Sequence, residues 1–278
     1  MPDVSAATLP GTANRPNEDA FAALPALIVV ADGATSPAQL GDGCLHGPAW
    51  YTHRLVGNVV AAHVEEPHAK PAYLLAEAIA RTTTAHADTC DVAHPGTPSA
   101  TVAMLTLDHG DVHWLVLGDA TLILDTGDSC RVVCDDRLSN TSKLERAALL
   151  GRGGLSAEER SSRVAALVDA QRVHRNRPGG FWVAAADPEA AHEALTECAS
   201  ATGLQRVALM TDGAARAVDV YQLMTWPAAL DVMATQGPAG LLHAVRTAEA
   251  RDAEGVVFPR MKSSDDATAA LVNWAVYQ

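Results

Sequence analysis

Two apolar runs in this chain each end in an aspartate followed by a glycine. The first run is LIVVADG at 27–33, and the second is VALMTDG at 207–213. Each run is typical of a buried strand that carries an aspartate to a tight turn at its end. The two runs lie far apart in the sequence, so a sheet could bring Asp32 and Asp212 together.

Two further acidic clusters accompany these runs. Glu18 and Asp19 precede the first run, and Asp265 and Asp266 open the last apolar run of the chain. Carboxylates gathered at strand ends repel one another and raise each other's pKa unless a cation holds them. The set therefore predicts a site for a hard metal ion with oxygen ligands.

Length and charge limit the other possibilities. The chain has 278 residues, of which 48% are hydrophobic, so it can form a substantial core. The formal net charge of −13 argues against a nucleic-acid partner and against an anionic membrane surface. The sequence shows no repeat, low-complexity tract or long linker. We therefore expect one domain over residues 1–278.

No targeting or membrane segment is evident in the sequence. The N-terminus lacks a basic region followed by an apolar stretch, and the run from Leu27 to Ala31 is far too short to cross a bilayer. We expect a soluble cytoplasmic protein.

Cysteine and histidine form no recognisable metal-binding pattern. The five cysteines contain no C-x-x-C pair, and we expect them to be buried, reduced thiols. The eleven histidines are scattered, whereas zinc requires a cluster of ligands. The common phosphate-loop, zinc-protease and nucleophile-elbow motifs are also missing from the sequence. The carboxylates therefore remain the main candidates for chemistry.

The hydrophobic pattern favours an α+β fold in which helices lie on antiparallel sheets. Antiparallel hairpins are predicted from short strands near 101–107, 112–117, 121–124 and 131–134. Helices are predicted at about 45–64 and at about 72–89. A further helix is predicted to start after Ser156, where Glu159 completes a capping box, and another after Asp187. A strand is predicted at 181–186.

The order of the acidic motifs resembles that of the metal-dependent serine/threonine protein phosphatases of type 2C, in their bacterial form. The resemblance covers about residues 10–275. The motifs that carry it are Asn17-Glu18-Asp19, Ala31-Asp32-Gly33, Ser99-Ala100-Thr101, Leu117-Gly118-Asp119, Thr211-Asp212-Gly213 and Ser264-Asp265-Asp266. The resemblance implies a four-layer α/β/β/α sandwich with two central antiparallel sheets. It also implies hydrolysis of phosphoserine or phosphothreonine in a phosphorylated protein substrate.

The resemblance also implies a metal centre at one end of the sheets. Two manganese or magnesium ions would bind there, with Asp32 bridging both and the Gly33 carbonyl binding one. Asp212 and Asp265 would complete the shell of the other ion. A water shared by two cations loses a proton near neutral pH, and the resulting hydroxide attacks phosphorus while the ions neutralise the phosphoryl oxygens.

Three further residues receive roles from the same resemblance. Glu18 and Asp19 would bind the ions directly or through water. Asp119 would help Asp212 to hold a third, weaker ion, although Gly118-Asp119 is equally typical of a plain hairpin turn.

The chain departs from the family pattern near the substrate. The arginine that family members place five residues before the first aspartate is Asn14 here, and Arg15 follows it. Arg15 is the predicted catalytic arginine, with Asp32 and Asp19, and the predicted substrate-binding residues are Arg15, Asn14 and Thr35. Asp266 stands where the family often has asparagine, so it either tightens metal binding or faces solvent.

Two questions stay open at the level of sequence. The arginine-rich segment at about 150–180 is either a solvated surface or a variable flap that recognises phosphate. The protein is either an active phosphatase or a catalytically weak relative that binds phosphorylated partners. A hydrolase for a small phosphorylated metabolite is a third, weaker option.

Overall fold

Ten strands form two antiparallel sheets in the described part of the chain, which comprises residues 2–34, 36–150 and 155–274 of a computed structural model. In chain order the strands are β1 (Asp3–Leu9), β2 (Asp19–Leu24), β3 (Leu27–Gly33), β4 (Ala100–Asp108), β5 (Asp111–Leu117), β6 (Thr121–Asp125), β7 (Cys130–Cys134), β8 (Leu195–Ser200), β9 (Arg206–Met210) and β10 (Ala267–Asn273). The first sheet has the order β1-β10-β9-β6-β7, and the second has the order β2-β3-β4-β5-β8.

The described residues form eight α-helices, of which five cover the outer faces of the sheets. In chain order the helices are α1 (Gly47–Glu65), α2 (Pro71–Thr84), α3 (Arg137–Asn140), α4 (Lys143–Leu150), α5 (Ala157–Arg172), α6 (Asp212–Asp219), α7 (Trp226–Gln236) and α8 (Pro238–Arg251). Helices α1 and α2 pack on the second sheet, and α6, α7 and α8 pack on the first. Among the described helices, none is long and apolar enough to cross a membrane.

The packing of strand β3 explains why its sequence is almost entirely apolar. Successive side chains point to opposite faces of a sheet. Ile28 and Val30 pack between the two sheets with Leu209, whereas Val29 packs towards the helices with Leu55 of α1. Because both faces of β3 are covered, no polar alternation is needed. The layers form the α/β/β/α sandwich that the resemblance implies, so the predicted fold class is confirmed.

The connection between β5 and β6 differs from the predicted hairpin. The two strands belong to different sheets, so Gly118 and Asp119 cross from one sheet to the other. Gly118 has a φ of 75°, and a Cβ on it would lie 2.6 Å from the Thr101 side chain. A glycine therefore allows the crossing to pass close to β4.

Other local predictions have mixed outcomes. The Ser156 capping box is confirmed, because Ser156 Oγ accepts a hydrogen bond from the Glu159 N–H at the start of α5. The predicted strand at 181–186 is wrong, since that segment forms only isolated bridges among the described residues. The helix predicted after Asp187 is a short 3-10 helix over Pro188–Glu193.

Candidate metal centre

Strand pairing in the second sheet places Asp19 beside Asp32. Strand β2 begins at Asp19 and β3 ends at Gly33, and the antiparallel register pairs Asp19 with Asp32. The Gly33 N–H donates to the Glu18 carbonyl at 3.1 Å. A Cβ on Gly33 would lie 2.8 Å from the same carbonyl oxygen, so the close approach of the two strands requires glycine.

The first sheet delivers two further aspartates to the same end of the molecule. Asp212 follows β9 and begins α6, so it starts a helix instead of the predicted tight turn. Asp265 precedes β10, the neighbour of β9. The Thr211 hydroxyl donates to Asp19 Oδ2 at 2.9 Å and thereby links the ends of the two sheets.

A cavity of about 240 Å³ lies where these strand ends meet. Its acidic lining residues are Asp32, Asp119, Asp212 and Asp265, and its basic lining residues are Arg146, Arg172, Arg175, Arg216 and Lys262. The cavity thus has a carboxylate floor and several cationic groups within one small volume. Glu18 and Asp19 are not among the residues that line the cavity.

The carboxylates fit a divalent cation. Asp19 Oδ1 and Asp212 Oδ1 are buried, and no hydrogen-bond partner for either atom exists among the described residues. Buried carboxylate oxygens without a partner carry a desolvation penalty that a cation removes. Oxygen-only ligand sets of this kind suit magnesium and manganese.

The aspartates hold protons more tightly than usual when no cation is bound. Burial, with repulsion from Asp212 and Asp266, raises the pKa of Asp19 to about 7. Burial and repulsion from Asp212 likewise raise the pKa of Asp119 to about 7. Burial and the charges of Asp19, Asp212 and Asp265 raise the pKa of Asp32 well above its ordinary value. Metal binding at this site therefore competes with protons.

We expect the metal-free protein to lose stability as the pH rises from about 4 to about 7. Over this interval the unfolded chain has released protons that folded Asp19 and Asp119 still hold, so the free energy of unfolding falls as pH increases. A divalent ion replaces those protons, and Mn²⁺ should therefore raise the Tm more at about pH 8 than at about pH 5. Thermal unfolding in EDTA and in Mn²⁺ checks this. A Tm in EDTA that rises from the lower to the higher pH contradicts it.

Asp265 differs from the other aspartates because two basic side chains already hold it. Lys262 Nζ donates to Oδ1 at 2.6 Å, and an Arg216 nitrogen donates to Oδ2 at 2.6 Å. Arg216 also lies 3.7 Å from Asp212, one helical turn earlier on α6. Each oxygen of Asp265 keeps a second lone pair that could bind a metal, but the two cations oppose a further positive charge there. The local signal for this arrangement was the spacing of Arg216 four residues after Asp212.

Two of the predicted substrate-binding residues lie outside the cavity, and the third cannot be placed. Asn14 and Arg15 are exposed in the loop between β1 and β2, and neither belongs to the cavity lining. Thr35 falls outside the described residues. The roles given to these three residues stay predictions.

Asp266 has a role that neither of its predicted alternatives describes. Its carboxylate accepts hydrogen bonds from the Gly11 N–H at 2.6 Å and the Glu18 N–H at 2.7 Å. These bonds tie both ends of the loop between β1 and β2 to the start of β10. Asp266 thus positions the segment that leads into Asp19.

Part of the arginine-rich segment reaches the cavity. Arg172 donates to Ser36 Oγ at 2.8 Å, and Arg175 donates to the Thr97 carbonyl at 2.8 Å. These side chains line the cavity while they hold the loops around it. Arg152 of this segment lies outside the described residues. A flap function for 150–180 stays a prediction.

Arg146 of α4 lines the cavity, although the sequence did not mark it as a candidate site residue. Its charge acts on Asp119 across the cavity and opposes the rise in the pKa of that aspartate. Its Nε is buried, with no hydrogen-bond partner among the residues that the structure describes. Arg146 is therefore a lining cation with an unused donor, and no local motif marks it in the sequence.

The sequence of this chain matches that of a known protein family. A sequence model of a family described as protein phosphatase 2C matches residues 12–246, which is most of the chain. No curated protein matches this chain significantly by sequence.

Solved structures share the fold at low sequence identity. The serine/threonine phosphatase PstP/Ppp of Mycobacterium tuberculosis matches over 98% of this chain and 98% of its own, at 16% identity and a TM-score of 0.56. Stp1 of Staphylococcus aureus matches over 98% of this chain and 95% of its own, at 12% identity and a TM-score of 0.59. The PstP catalytic domain in complex with two manganese ions matches over 98% and 97%, at 13% identity and a TM-score of 0.57.

Proposed function

Because the chain belongs to the protein phosphatase 2C family, we propose that it is a metal-dependent phosphatase that hydrolyses phosphoserine and phosphothreonine in proteins. One observation carries this proposal beyond the family match. Asp19, Asp32 and Asp212 come from two sheets to one end of the sandwich, and two of their buried oxygens have no partner among the described residues. The family match favours catalysis over the alternative of a weak phosphoprotein-binding relative.

The proposed metal ligands are the carboxylates of Asp32, Asp19 and Asp212 and the carbonyl of Gly33. When bound, manganese or magnesium supplies an acidic water that serves as the nucleophile near neutral pH. Thr211 holds Asp19 in position through its hydroxyl. We propose two ions, with Asp265 as a further ligand through the lone pairs that Lys262 and Arg216 leave free.

The roles of Asp119 and Glu18 at the metal centre are also proposals. Asp119 lies close enough to Asp212 for their charges to interact, which supports a third, weaker ion between them. Glu18 contributes its backbone to the pairing with Gly33, and its carboxylate would act through water. A cytoplasmic location stays a prediction from the sequence.

The basic lining residues of the cavity supply phosphate recognition in this proposal. Arg146 lines the same cavity as the aspartates, and its Nε has no hydrogen-bond partner among the described residues. Guanidinium groups bind phosphate through two parallel hydrogen bonds. Arg146 is therefore the residue that we expect to bind the substrate phosphoryl group, in place of the predicted Arg15.

Arg146→Gln is expected to raise KM for a phosphothreonine peptide by about 10-fold or more, because a hydrogen bond to a charged group contributes about 1.5–3 kcal/mol. Manganese affinity should stay near that of the wild type. Steady-state kinetics and calorimetry measure the two effects. Arg15→Gln is the matched comparison, since that side chain is exposed outside the cavity. A larger rise in KM for Arg15→Gln than for Arg146→Gln would assign phosphate binding to Arg15.

Substrate panels test the function itself. Purified protein with Mn²⁺ is expected to hydrolyse p-nitrophenyl phosphate and phosphothreonine peptides, and EDTA should stop both reactions. Preference for sugar phosphates or nucleotides over phosphopeptides would instead indicate a small phosphorylated metabolite as substrate. Metal binding without turnover on any phosphopeptide would support the phosphoprotein-binding alternative.

A further inference from the structure

A second group of metal-binding side chains lies away from the carboxylates. Cys44 and His46 end the loop between β3 and α1, and Cys90 lies in the turns that follow α2. The two sulfur atoms are 3.3 Å apart. The Nδ1 atom of His46 is 3.3 Å from the sulfur of Cys90 and 3.7 Å from that of Cys44. Two sulfurs and one nitrogen thus surround a common point.

These separations match the corners of a coordination tetrahedron. Zinc–sulfur bonds of about 2.3 Å and zinc–nitrogen bonds of about 2.0 Å place two sulfurs roughly 3.8 Å apart and a sulfur and a nitrogen roughly 3.5 Å apart. The observed sulfur–sulfur distance of 3.3 Å and the sulfur–nitrogen distances of 3.3 and 3.7 Å lie close to these values. Small side-chain rotations suffice to admit an ion.

Backbone donors reach both sulfurs, as they would in thiolate, the form of cysteine that binds metals. The Leu45 N–H donates to the sulfur of Cys90 at 3.3 Å, and the His46 N–H donates to that of Cys44 at 3.4 Å. Although burial acts in the opposite direction, hydrogen bonds from Leu45 and Cys44 lower the pKa of Cys90 to about 7, whereas burial raises the pKa of Cys44. The Trp50 ring stacks on His46 at a centroid distance of 4.3 Å and fixes the imidazole.

The cysteines are more exposed than the sequence predicts, so the expectation that they are buried is wrong. Cys44, Cys90 and Cys130 are half-buried, and Cys134 and Cys198 are exposed. Half-burial leaves Cys44 and Cys90 accessible to an ion from solvent while their backbone donors remain ordered.

We propose that Cys44, His46 and Cys90 bind one zinc ion, with water as the fourth ligand. Thiolate and imidazole ligands select zinc over manganese and magnesium, which prefer the carboxylate centre. The two centres therefore hold different metals at the same time. This proposal rests on the side-chain cluster alone and not on the phosphatase activity.

The zinc site links two segments beside the cavity. The Asp91 N–H donates to the Gly43 carbonyl at 2.8 Å, so the turns after α2 already contact the loop after β3. That loop carries Ser36, which binds Arg172 of the cavity lining. A zinc ion at Cys44 and Cys90 fixes the far end of this loop and thereby the position of Arg172.

Cobalt spectroscopy tests the proposal on the reduced full-length chain. Cobalt in a tetrahedral thiolate site gives a sulfur-to-metal charge-transfer band, which cobalt at carboxylates does not give. We expect one equivalent of Co²⁺ to produce this band and one equivalent of Zn²⁺ to remove it. Absence of the band in protein whose thiols are all titratable overturns the proposal.

Three variants sharpen the test. Cys90→Ser should abolish the band. His46→Ala, at an exposed position, should weaken Co²⁺ binding at least about 100-fold, because loss of even an outer-shell partner lowers metal affinity by about 10–100-fold. Cys198→Ser removes an exposed cysteine outside the cluster and should keep the band. A band of undiminished intensity in Cys90→Ser contradicts a zinc site. A disulfide between Cys44 and Cys90 that reductant leaves intact in the wild-type protein contradicts it as well.

Discussion

Asp32→Asn is expected to reduce phosphatase turnover by at least about 1,000-fold while the fold stays intact. The scale comes from enzymes that lose one hydrogen-bond donor to the transition state, whose turnover falls by about 10²–10³-fold. Asp32 lies opposite Asp19 in the sheet and lines the cavity. An amide keeps the shape of the side chain but loses the negative charge with which Asp32 would hold the proposed metal ions. Without them, the water that would serve as nucleophile keeps its ordinary, high pKa.

The same substitution should leave metal-free stability equal or higher at neutral pH. Burial and the charges of Asp19, Asp212 and Asp265 raise the pKa of Asp32, so its ionised form opposes folding when no cation is bound. Thermal unfolding in EDTA and kinetics at saturating Mn²⁺ measure the two effects. Asp128→Asn, in the exposed turn after β6, is the control and should change neither. Near-wild-type turnover in Asp32→Asn rejects the proposed chemistry.

Arg216→Met is expected to lower the free energy of unfolding by about 3–5 kcal/mol in EDTA, which is the usual cost of removing one partner from a buried ion pair. The Arg216 guanidinium lies 2.6 Å from Asp265, 3.7 Å from Asp212 and 3.9 Å from Glu249. Its loss leaves these acidic groups without their shared cation. For a domain of this length the Tm should fall by about 10 °C.

Manganese should recover part of this loss, because an ion at Asp212 and Asp265 replaces the missing positive charge. Arg206→Met is the matched control. Arg206 pairs with buried Asp125 at 2.7 Å and with Asp231 at 2.6 Å, outside the cavity lining. Its destabilisation should be the same with and without Mn²⁺. An equal response of the two variants to Mn²⁺ would show that Arg216 does not share its carboxylates with a metal.

The apolar runs that end in Asp-Gly predict the location of the candidate metal centre, because an apolar strand and the aspartate at its end are both visible in a short stretch of sequence. A continuous apolar strand implies that both faces are covered, and β3 and β9 both have that burial. The α/β/β/α architecture came instead from the resemblance, since local patterns do not specify how two sheets stack. What remained hidden were the contacts set by pairing between distant strands.

The β5–β6 connection illustrates that limit. A glycine at positive φ serves a hairpin and a crossing between sheets equally well, so Gly118 alone decides nothing. The outcome depends on β5 pairing with β4 and β8, and on β6 pairing with β7 and β9. The same dependence hid the contact between Arg216 and Asp265, which forms because β9 and β10 are neighbours, whereas Lys262 lies only three residues before Asp265.

The cysteine cluster was hidden for a similar reason. Cys44 and His46 are two residues apart, but Cys90 joins them only because α1 and α2 pack side by side and return the chain to the loop after β3. The only local signal was the C-x-H spacing at 44–46. A pair of ligands at that spacing is too common to predict a site without the third.

Anomalous diffraction at the manganese edge tests the central claim most directly. Crystals soaked in Mn²⁺ at a pH above about 7, where Asp19 and Asp119 release their protons, should show a peak within bonding distance of Asp32 and of Asp19 or Asp212. Crystals saturated with Mn²⁺ that show no peak at these carboxylates, or peaks only at Cys44 and Cys90, contradict a carboxylate-bound metal as the basis of hydrolysis.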